Sequence, residues 1–330
     1  MLPEAVIWNP SEVVFALGSF SVRWYGICWC IGLALAYVVV LKLYQRQQIP
    51  PQKFESLFIY CFVGILVGAR LGHCLFYEPA YFLSHPVEMV LPIRHLPDGS
   101  WKFTGYAGLA SHGGTIGLMI ALWLYVRKYQ VNLMRVLDDI AVATPIAACM
   151  IRMGNLMNSE IVGKFTDSDY GFVFVQNGDT LPRHPGQLYE AVAYFLFFVV
   201  GLWLYRKYEH RVGQGFFFGY CLSTIFTFRL LVEFFKEVQE PWELTMQQTI
   251  GLNQGQLLSL PFIIIGFYCM LGGKWCKRLA EKLVRQVPAI PRQCLHSVFA
   301  VKAQRFVFVS RTAHRCALGV SGCKPPLLYT

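Results

Sequence analysis

The sequence predicts an all-α polytopic membrane protein with seven transmembrane helices, an outer arm and a small outer head domain. Hydrophobic residues make up 55% of the 330 residues and charged residues only 15%, whereas average soluble domains carry roughly 25% charge. A helix needs roughly 20 mostly apolar residues to cross the hydrocarbon of a bilayer. Seven stretches have this length, at about residues 19–42, 54–77, 107–127, 136–157, 187–206, 214–235 and 255–276.

Lysine and arginine residues are distributed unevenly among the segments between the spans. The loops after spans one, three and five, with the segment after span seven, hold most of them, and the opposite loops hold Arg94, Lys102, Lys164, Arg183 and Lys236. Because basic loops stay in the cytoplasm, this asymmetry predicts an N-terminus outside and a C-terminus in the cytoplasm. We attribute the formal charge of +10 to the orientation of the protein in the membrane and to contact with anionic membrane lipids. We expect no nucleic-acid binding.

Two connections on the outer side are longer than ordinary loops. Residues 78–106 are rich in proline, which predicts an irregular outer arm with short helical or strand pieces. Residues 158–186 place Asn177-Gly178 after an apolar run, which predicts a small outer head domain with hairpin character. We expect residues 1–285 to form one membrane domain. The apolar pattern then ends, so residues 286–330 are expected to be a poorly ordered cytoplasmic tail.

A polar sequence interrupts the end of the fourth span. Arg152 lies there among apolar neighbours, and an arginine that cannot lose its charge needs an anionic partner or a water-filled cavity. At helical spacing, Asn155 and Ser159 share its face and Glu160 lies at the edge of that face. The alternative is an arginine that extends to the membrane interface, as most arginines near helix ends do.

Further cations lie in the other spans. Arg70, His112 and Arg229 fall in apolar runs, and few carboxylates are available to neutralise them, namely Glu160, Glu190 and Glu233. Arg229 and Glu233 are four residues apart, so a structural ion pair on one helix face is the alternative for them. Surplus positive charge in a membrane cavity favours an anionic ligand. A phosphate diester is the anion that a membrane supplies in bulk.

Glycine and cysteine residues in the spans indicate packing. Gly64, Gly68 and Gly72 recur at every fourth residue of span two, which favours close contact between helices. The eleven cysteines lie largely in apolar runs, and the sequence contains no CxxC pair. We therefore expect no metal site, no disulfide framework and no cofactor.

Together these motifs resemble those of the prolipoprotein diacylglyceryl transferase family. The family signature Gly-Arg-x-Gly-Asn-Phe-x-Asn-x-Glu-x-x-Gly is met at Arg152, Gly154, Asn155, Asn158, Glu160 and Gly163, with departures at Ile151 and Leu156. Residues 112–117, 183–190, 229–236 and 255–261 resemble further family blocks, in the order in which the family has them. Other departures from the family pattern are His73, Ser111, Gly186 and Lys236.

The resemblance implies an enzyme of the bacterial cytoplasmic (inner) membrane. Such an enzyme transfers the diacylglyceryl group of phosphatidylglycerol to the lipobox cysteine of a prolipoprotein signal peptide, so that a thioether forms and glycerol-1-phosphate leaves. The substrate supplies the thiol, so the enzyme itself needs groups that stabilise phosphate charge and favour the thiolate. We expect a monomer that binds phosphatidylglycerol, the signal peptide and membrane lipids.

The resemblance also implies roles for individual residues. Arg152 and Arg229 are expected to bind the headgroup phosphate and the leaving group. His112 is expected to act as the base or to orient the thiol, with Tyr25 or a substrate-assisted route as the alternatives. The rest of the predicted phosphatidylglycerol site is Asn155, Asn158, Glu160, Gly163, Glu233 and Arg70. The outer mouth of the site is expected at His184, Gln187 and Tyr189.

Two other classes of membrane protein could use these features. A multispan transporter of a lipid or organic anion would employ the same arginine site, although the spans show no inverted repeat of broken segments. An intramembrane protease would need a serine–histidine or paired-aspartate arrangement within the spans, and the sequence offers none. The mass of a test peptide separates the three classes, because a transferase increases it, a transporter leaves it unchanged and a protease decreases it.

Overall fold

Helices carry most of the chain that the computed structural model describes, which is residues 5–17, 20–91, 93–95, 100–103, 109–237, 246, 249 and 251–272. The helices are α1 Trp24–Arg46, α2 Pro51–Phe76, α3 Pro79–Ser84, α4 Pro86–Val90, α5 Ser111–Tyr129, α6 Leu133–Met157, α7 Gly186–Lys207, α8 Phe216–Val232 and α9 Gln254–Gly272. The predicted tail at residues 286–330 lies outside the described residues.

Short strands form three two-stranded ladders. They are β1 Val6–Trp8, β2 Val13–Leu17, β3 Phe20–Arg23, β4 Ile93–His95, β5 Trp101–Phe103 and β6 Phe172–Phe174. β2 pairs with β3 and β4 with β5, both antiparallel, whereas β1 pairs with β6 in parallel. The strand predicted in the head segment therefore has the N-terminal strand as its ladder partner. The hairpin expected there is reduced to an isolated antiparallel bridge between Phe172 and Arg183.

Five of the described helices are long and apolar enough to cross a membrane, namely α1, α2, α6, α7 and α9. α8 is apolar but has 17 residues, and α5 has 19 residues with a polar first turn and two basic residues in its last turn. Each of the seven predicted spans overlaps one of these helices. α1 begins at Trp24, later than expected, because the preceding residues form the β2–β3 hairpin. The prediction of a helical integral membrane protein is confirmed.

Helices α2 and α5 pack against each other through glycine. A Cβ atom added to Gly72 would lie 2.7 Å from the Cα of Gly113, and one added to Gly64 would lie 2.8 Å from the carbonyl oxygen of Gly117. The two backbones are therefore in direct contact, which a larger residue would prevent. The packing role predicted for the glycines of span two is confirmed.

The α2–α5 pair joins the other helices through a buried cluster. Tyr44 of α1 and Phe54 of α2 lie with their ring centroids 5.7 Å apart, and Tyr125 of α5 and Val136 of α6 are buried in the same cluster. These residues lie near the last turns of α1 and α5 and the first turns of α2 and α6. The remaining helices are organised around α6, which packs against α1, α7 and α8, and α9 packs against α8.

A buried carboxylate on α6 holds the connection between α7 and α8. Asp138 accepts hydrogen bonds from the backbone N–H groups of Gly213, Gly215 and Phe218 at 2.8, 3.0 and 2.9 Å. These N–H groups lie at the start of α8, where a helix has donors without partners of its own. Asp138 thus fixes the beginning of α8 against α6, and with it the direction in which α8 carries Arg229.

The predicted outer arm contains the short helices α3 and α4 and the strands β4 and β5, in line with the expected short pieces. Arg70 of α2 donates to the carbonyl oxygens of Glu88 and Met89 at 2.7 and 3.2 Å. Its guanidinium carbon lies 4.8 Å from the ring centroid of Phe82. Tyr81 donates to the buried carboxylate of Glu88 at 2.6 Å. Arg70 therefore holds the arm segment against the end of α2.

Candidate functional site

Most of the predicted site residues lie where α6 and α8 end and where α7 and α9 begin. α6 ends at Met157, and the following loop contains two non-glycine residues with positive φ, Ser159 at 53° and Ile161 at 58°. Such backbone conformations are unfavourable for residues with a Cβ and cluster at functional sites. They turn the chain so that Glu160, between them, points back toward the end of α6.

Arg152 forms a buried ion pair with a carboxylate of α7. Its Nε lies 3.0 Å from Oε2 of Glu190, and the two side chains are 16% and 0% exposed. Nη1 of Arg152 donates to Oδ1 of Asn155 at 3.3 Å. Tyr194 donates its hydroxyl to the other oxygen of Glu190 at 3.1 Å. Arg152 is therefore held within the protein by an anionic partner, and the alternative of extension to the membrane interface does not apply.

The ion pair continues toward the end of α8. Nζ of Lys236 lies 3.2 Å from Oε2 of Glu190 and 3.4 Å from Oε1 of Glu233. Nε of Arg229 lies 3.9 Å from the same oxygen of Glu233. The residues Arg152, Glu190, Lys236, Glu233 and Arg229 therefore form an alternating series, the ion-pair chain. It contains three cations and two carboxylates, which leaves one surplus positive charge.

The two arginines at the ends of the ion-pair chain keep donors available. A guanidinium has five N–H groups, and the described contacts of Arg152 involve only Nε and Nη1. For Arg229, the 3.9 Å approach to Glu233 is the one polar contact found among the described residues, and its side chain is 40% exposed. A guanidinium with free N–H groups matches the geometry of a phosphate. Both ends of the chain can therefore bind an anion.

Glu160 is held by amides instead of cations. Its carboxylate accepts a hydrogen bond from Nδ2 of Asn155 at 3.1 Å and another from Nδ2 of Asn158 at 2.9 Å. Gln187 of α7 donates its side-chain amide to the backbone carbonyl of Glu160. Since Asn155 also contacts Arg152, the amides connect the Glu160 loop to the ion-pair chain. The signature residues of the fourth span therefore lie together with the start of the fifth span.

Gly163 lies where the head segment passes the start of α7. Its N–H donates to the carbonyl of His184 at 2.9 Å, and an added Cβ would lie 2.6 Å from the Cβ of His184. The imidazole of His184 lies 3.1 Å from the hydroxyl of Tyr189, and its ring packs against Phe235. Gly163 therefore permits close passage of two segments. His184, Gln187 and Tyr189 lie together beside the ion-pair chain.

Tyr25 lies next to the end of α6. A Cβ added to Gly154 would lie 2.9 Å from Cδ2 of Tyr25, so the ring rests directly on the α6 backbone. Tyr25 and Asn158 also line one cavity of about 420 Å³, together with Ser21, Val22, Arg23 and Gly26. The structure therefore brings Tyr25 to the site.

The structure does not place His112 and Arg70 with the residues of this site. His112 is exposed in the first turn of α5, and the contacts given for Arg70 are with the arm segment. Both belong to the α2–α5 pair, whereas the ion-pair chain belongs to α6, α7 and α8. The role of His112 remains a prediction. Arg70 has a clear structural role.

Glu190 was named from the sequence only as a carboxylate that could neutralise the cations, Lys236 only as a loop lysine and a departure from a family block, and Asn253 not at all. Glu190 is the centre of the ion-pair chain, and Asn253 donates to Oε2 of Glu233 at 3.2 Å. The signals for Glu190 were a carboxylate at the start of an apolar span and its position at the end of the family block 183–190. Lys236 and Asn253 lie outside the spans, where polar residues carry no such signal. No group of three or more metal-binding side chains occurs among the described residues.

Membrane-length helices and a buried ionic site at their shared end define an integral membrane protein with a polar, charged centre. A family model for prolipoprotein diacylglyceryl transferase matches residues 12–272, and the chain belongs to this family. It is 58% identical over 266 residues to a relative from Bacteroides fragilis, covering 81% of this chain and 94% of that protein. It is 41% identical over 281 residues to one from Porphyromonas gingivalis, covering 82% and 95%. Both relatives carry the name phosphatidylglycerol–prolipoprotein diacylglyceryl transferase.

Proposed function

We propose that the protein transfers the diacylglyceryl group of phosphatidylglycerol to the lipobox cysteine of prolipoprotein signal peptides. The cysteine sulfur forms a bond to the glyceryl carbon that carries the phosphate. The carbon–oxygen bond to the phosphate breaks, glycerol-1-phosphate leaves with the bonding electrons, and the thiol proton passes to a base. The family and the names of the relatives support this activity over the transporter alternative.

The observation that carries the proposal is the surplus positive charge of the ion-pair chain, with an arginine at each end. The leaving group gains negative charge as the carbon–oxygen bond breaks, and donors fixed in place before the reaction stabilise that charge most effectively. Arg152 is fixed by Glu190 and Asn155, and Arg229 lies within 3.9 Å of Glu233. We assign the phosphate of phosphatidylglycerol to these two arginines. Asn155, Asn158 and Glu160 then hold the glycerol headgroup.

The base is assigned to His112, with Tyr25 as the alternative. A thiol needs a nearby base or a positive field to become the nucleophilic thiolate. We expect His112→Gln to abolish transfer and Tyr25→Phe to retain part of it, measured as single-turnover rates across pH. The opposite result would assign proton transfer to Tyr25. Full activity in both variants would support a route in which the substrate itself accepts the proton.

The placement in the membrane is also proposed. We infer that α5 and α8 cross the bilayer with the other five long helices, that the N-terminus is outside and that the site faces the outer leaflet of the inner membrane. Arg127 lies 4.9 Å from the ring centroid of Trp123, and Lys207 lies 4.9 Å from that of Trp203. Basic residues stacked on aromatics at the helix ends opposite the site are typical of a cytoplasmic interface. We propose that a single chain is active.

The test uses purified protein in phosphatidylglycerol vesicles with a synthetic lipobox peptide. We expect the peptide to gain the diacylglyceryl mass and glycerol phosphate to be released in equal amount. Arg152→Ala and Arg229→Ala should each lower the rate at least about a hundredfold, because each removes preorganised donors from the leaving group. The matched control is Arg46→Ala, since Arg46 is paired with Glu209 at the other end of α1. Full activity in either site variant would contradict the phosphate assignment.

A further inference from the structure

The cavity beside the start of α1 is not explained by phosphate binding. It has a volume of about 420 Å³ and is lined by Ser21, Val22, Arg23, Tyr25, Gly26 and Asn158. A Cβ added to Gly26 would find no atom within 4 Å, so the first turn of α1 leaves open space. The cavity therefore lies between strand β3, the first turn of α1 and the loop that follows α6.

The lining residues indicate how the cavity lies relative to β3. Ser21, Val22 and Arg23 are consecutive in the strand, and successive side chains of a strand point to opposite faces. Three consecutive residues can line one cavity when it runs along the edge of the strand. β2 occupies one edge of β3, and in the described part of the chain no other strand pairs with it. The second edge of β3 therefore has no strand partner among the described residues.

The charges around the cavity do not favour a phosphate. Arg23 is its one cationic lining residue, and Nη1 of Arg23 lies 3.2 Å from Oε2 of Glu12. This pair neutralises the cavity. Oδ1 of Asn158 is buried and has no hydrogen-bond partner within the described residues, although Nδ2 of the same side chain is bonded to Glu160. A buried acceptor without a donor is unfavourable. A ligand with N–H groups and no net charge would suit this surface.

We propose that the peptide substrate docks here in extended form and adds a strand to the free edge of β3. This inference rests on the proposed function and names the binding mode of its second substrate. Backbone hydrogen bonds supply the affinity in strand addition, so peptides of different sequence can bind in the same way. Four paired residues extend about 13 Å. Because Tyr25 rests on Gly154, a cysteine at the end of the added strand reaches the last turns of α6.

Asn158 connects the two substrates in this arrangement. Its amide nitrogen donates to Glu160. Its amide oxygen is buried and would accept an N–H group from the peptide after the side chain turns toward the cavity. The substitution Asn158→Asp keeps an acceptor but loses the donor to Glu160. It should therefore impair the use of phosphatidylglycerol more than peptide binding, whereas Gly26→Leu should fill the cavity and raise the KM for the peptide alone.

The first test is a scan of lipobox peptides that carry one backbone N-methyl group each. A strand that pairs along one edge directs every second N–H group to its partner. N-methylation should raise the peptide KM about tenfold at alternate positions before the cysteine and leave the positions between them unchanged. Equal effects at all positions, or none, would overturn strand addition. The unmodified peptide and the insensitive positions serve as internal controls.

The second test detects binding without turnover. A peptide with benzoylphenylalanine two residues before the cysteine is irradiated with wild type and with Arg152→Ala in phosphatidylglycerol vesicles, and the labelled residues are mapped by mass spectrometry. We expect the label on β3 or the first turn of α1 in both proteins. Labelling there without diacylglyceryl transfer by wild type would refute the proposed function and keep the docking site. If wild type transfers the diacylglyceryl group but the label lies elsewhere, the docking site alone is refuted. The docking site is also refuted if glycerol phosphate, and not unlabelled peptide, protects β3 from labelling.

Discussion

Replacing Glu190 by glutamine tests the ion-pair chain most directly. Oε2 of Glu190 lies 3.0 Å from Nε of Arg152 and 3.2 Å from Nζ of Lys236. The substitution keeps the side-chain shape but raises the surplus positive charge of the chain from one to two. Removing one partner of a buried ion pair costs about 3–5 kcal/mol. Because Lys236 keeps Glu233 at 3.4 Å, we expect a loss of about 3 kcal/mol in the free energy of unfolding.

The loss is measurable as a shift in melting temperature. At about 2–4 °C per kcal/mol, Glu190→Gln should melt about 6–12 °C below wild type. Buried free cysteines such as Cys149 and Cys221 allow unfolding in detergent to be followed with a thiol-reactive dye. The control is Glu160→Gln, whose partners are amides, so that no cation loses its counter-charge.

A compensating substitution identifies the cause of the shift. In Glu190→Gln/Lys236→Met the surplus charge returns to one, so the double variant should recover at least half of the lost melting temperature. The single substitution Lys236→Met should cost less than Glu190→Gln, since it leaves the pair of Arg152 and Glu190 intact. Equal melting temperatures of Glu190→Gln and wild type would refute the role of the ion-pair chain. So would a melting temperature of the double variant below that of Glu190→Gln.

Two further predictions concern packing and pH. Gly72→Ala should destabilise the protein by about 1–3 kcal/mol in the same melting assay, because the new Cβ would meet the Cα of Gly113 at 2.7 Å. Gly26→Ala is its matched control, and equal melting of the two variants would contradict direct backbone contact. Arg46, which donates to Glu209 at 3.0 and 2.8 Å, lowers the pKa of that carboxyl below its ordinary 4.5. The folded state therefore gains stability above pH 4.5 that is lost as the pH falls through the lowered pKa. Glu209→Gln should have a melting temperature slightly below that of wild type at pH 7 and equal to it in strong acid. If the difference in melting temperature grows in acid, the Arg46–Glu209 pair is not the cause of the difference.

The spans could be predicted from the sequence because membrane crossing depends on local properties. A run of apolar residues of sufficient length carries the signal within itself, as in α1, α2 and α9. The glycines of α2 and the pairing of Arg229 with Glu233 are equally local, since both follow from helical spacing. The signature around Arg152 was found because charged and amide side chains are conspicuous at the end of an apolar run.

Contacts between distant segments could not be predicted in the same way. The pairing of β1 with β6 depends on where the chain returns after four long helices, and nothing in residues 6–8 specifies it. The Asn177-Gly178 turn was expected to close a hairpin, but a 3₁₀ turn at Val175–Asn177 ends the strand first. The same holds for Lys236, which contacts Glu190 only because α7 and α8 lie side by side.

The connection between the α2–α5 pair and the rest of the protein has a mechanical consequence. The pair carries the proposed base, His112, while the arginines proposed to bind the phosphate are on α6 and α8. The buried cluster around Tyr44 and Phe54 joins the pair to the other helices at the far end. α2, with its 26 residues, is a lever about 39 Å long. A tilt of about 3° at the cluster moves the other end by about 2 Å, and an error of 1 Å in a reacting geometry can cost about a hundredfold in rate. Close packing of aromatic rings at one end of the helices would thereby set the precision of the proposed chemistry at the other end.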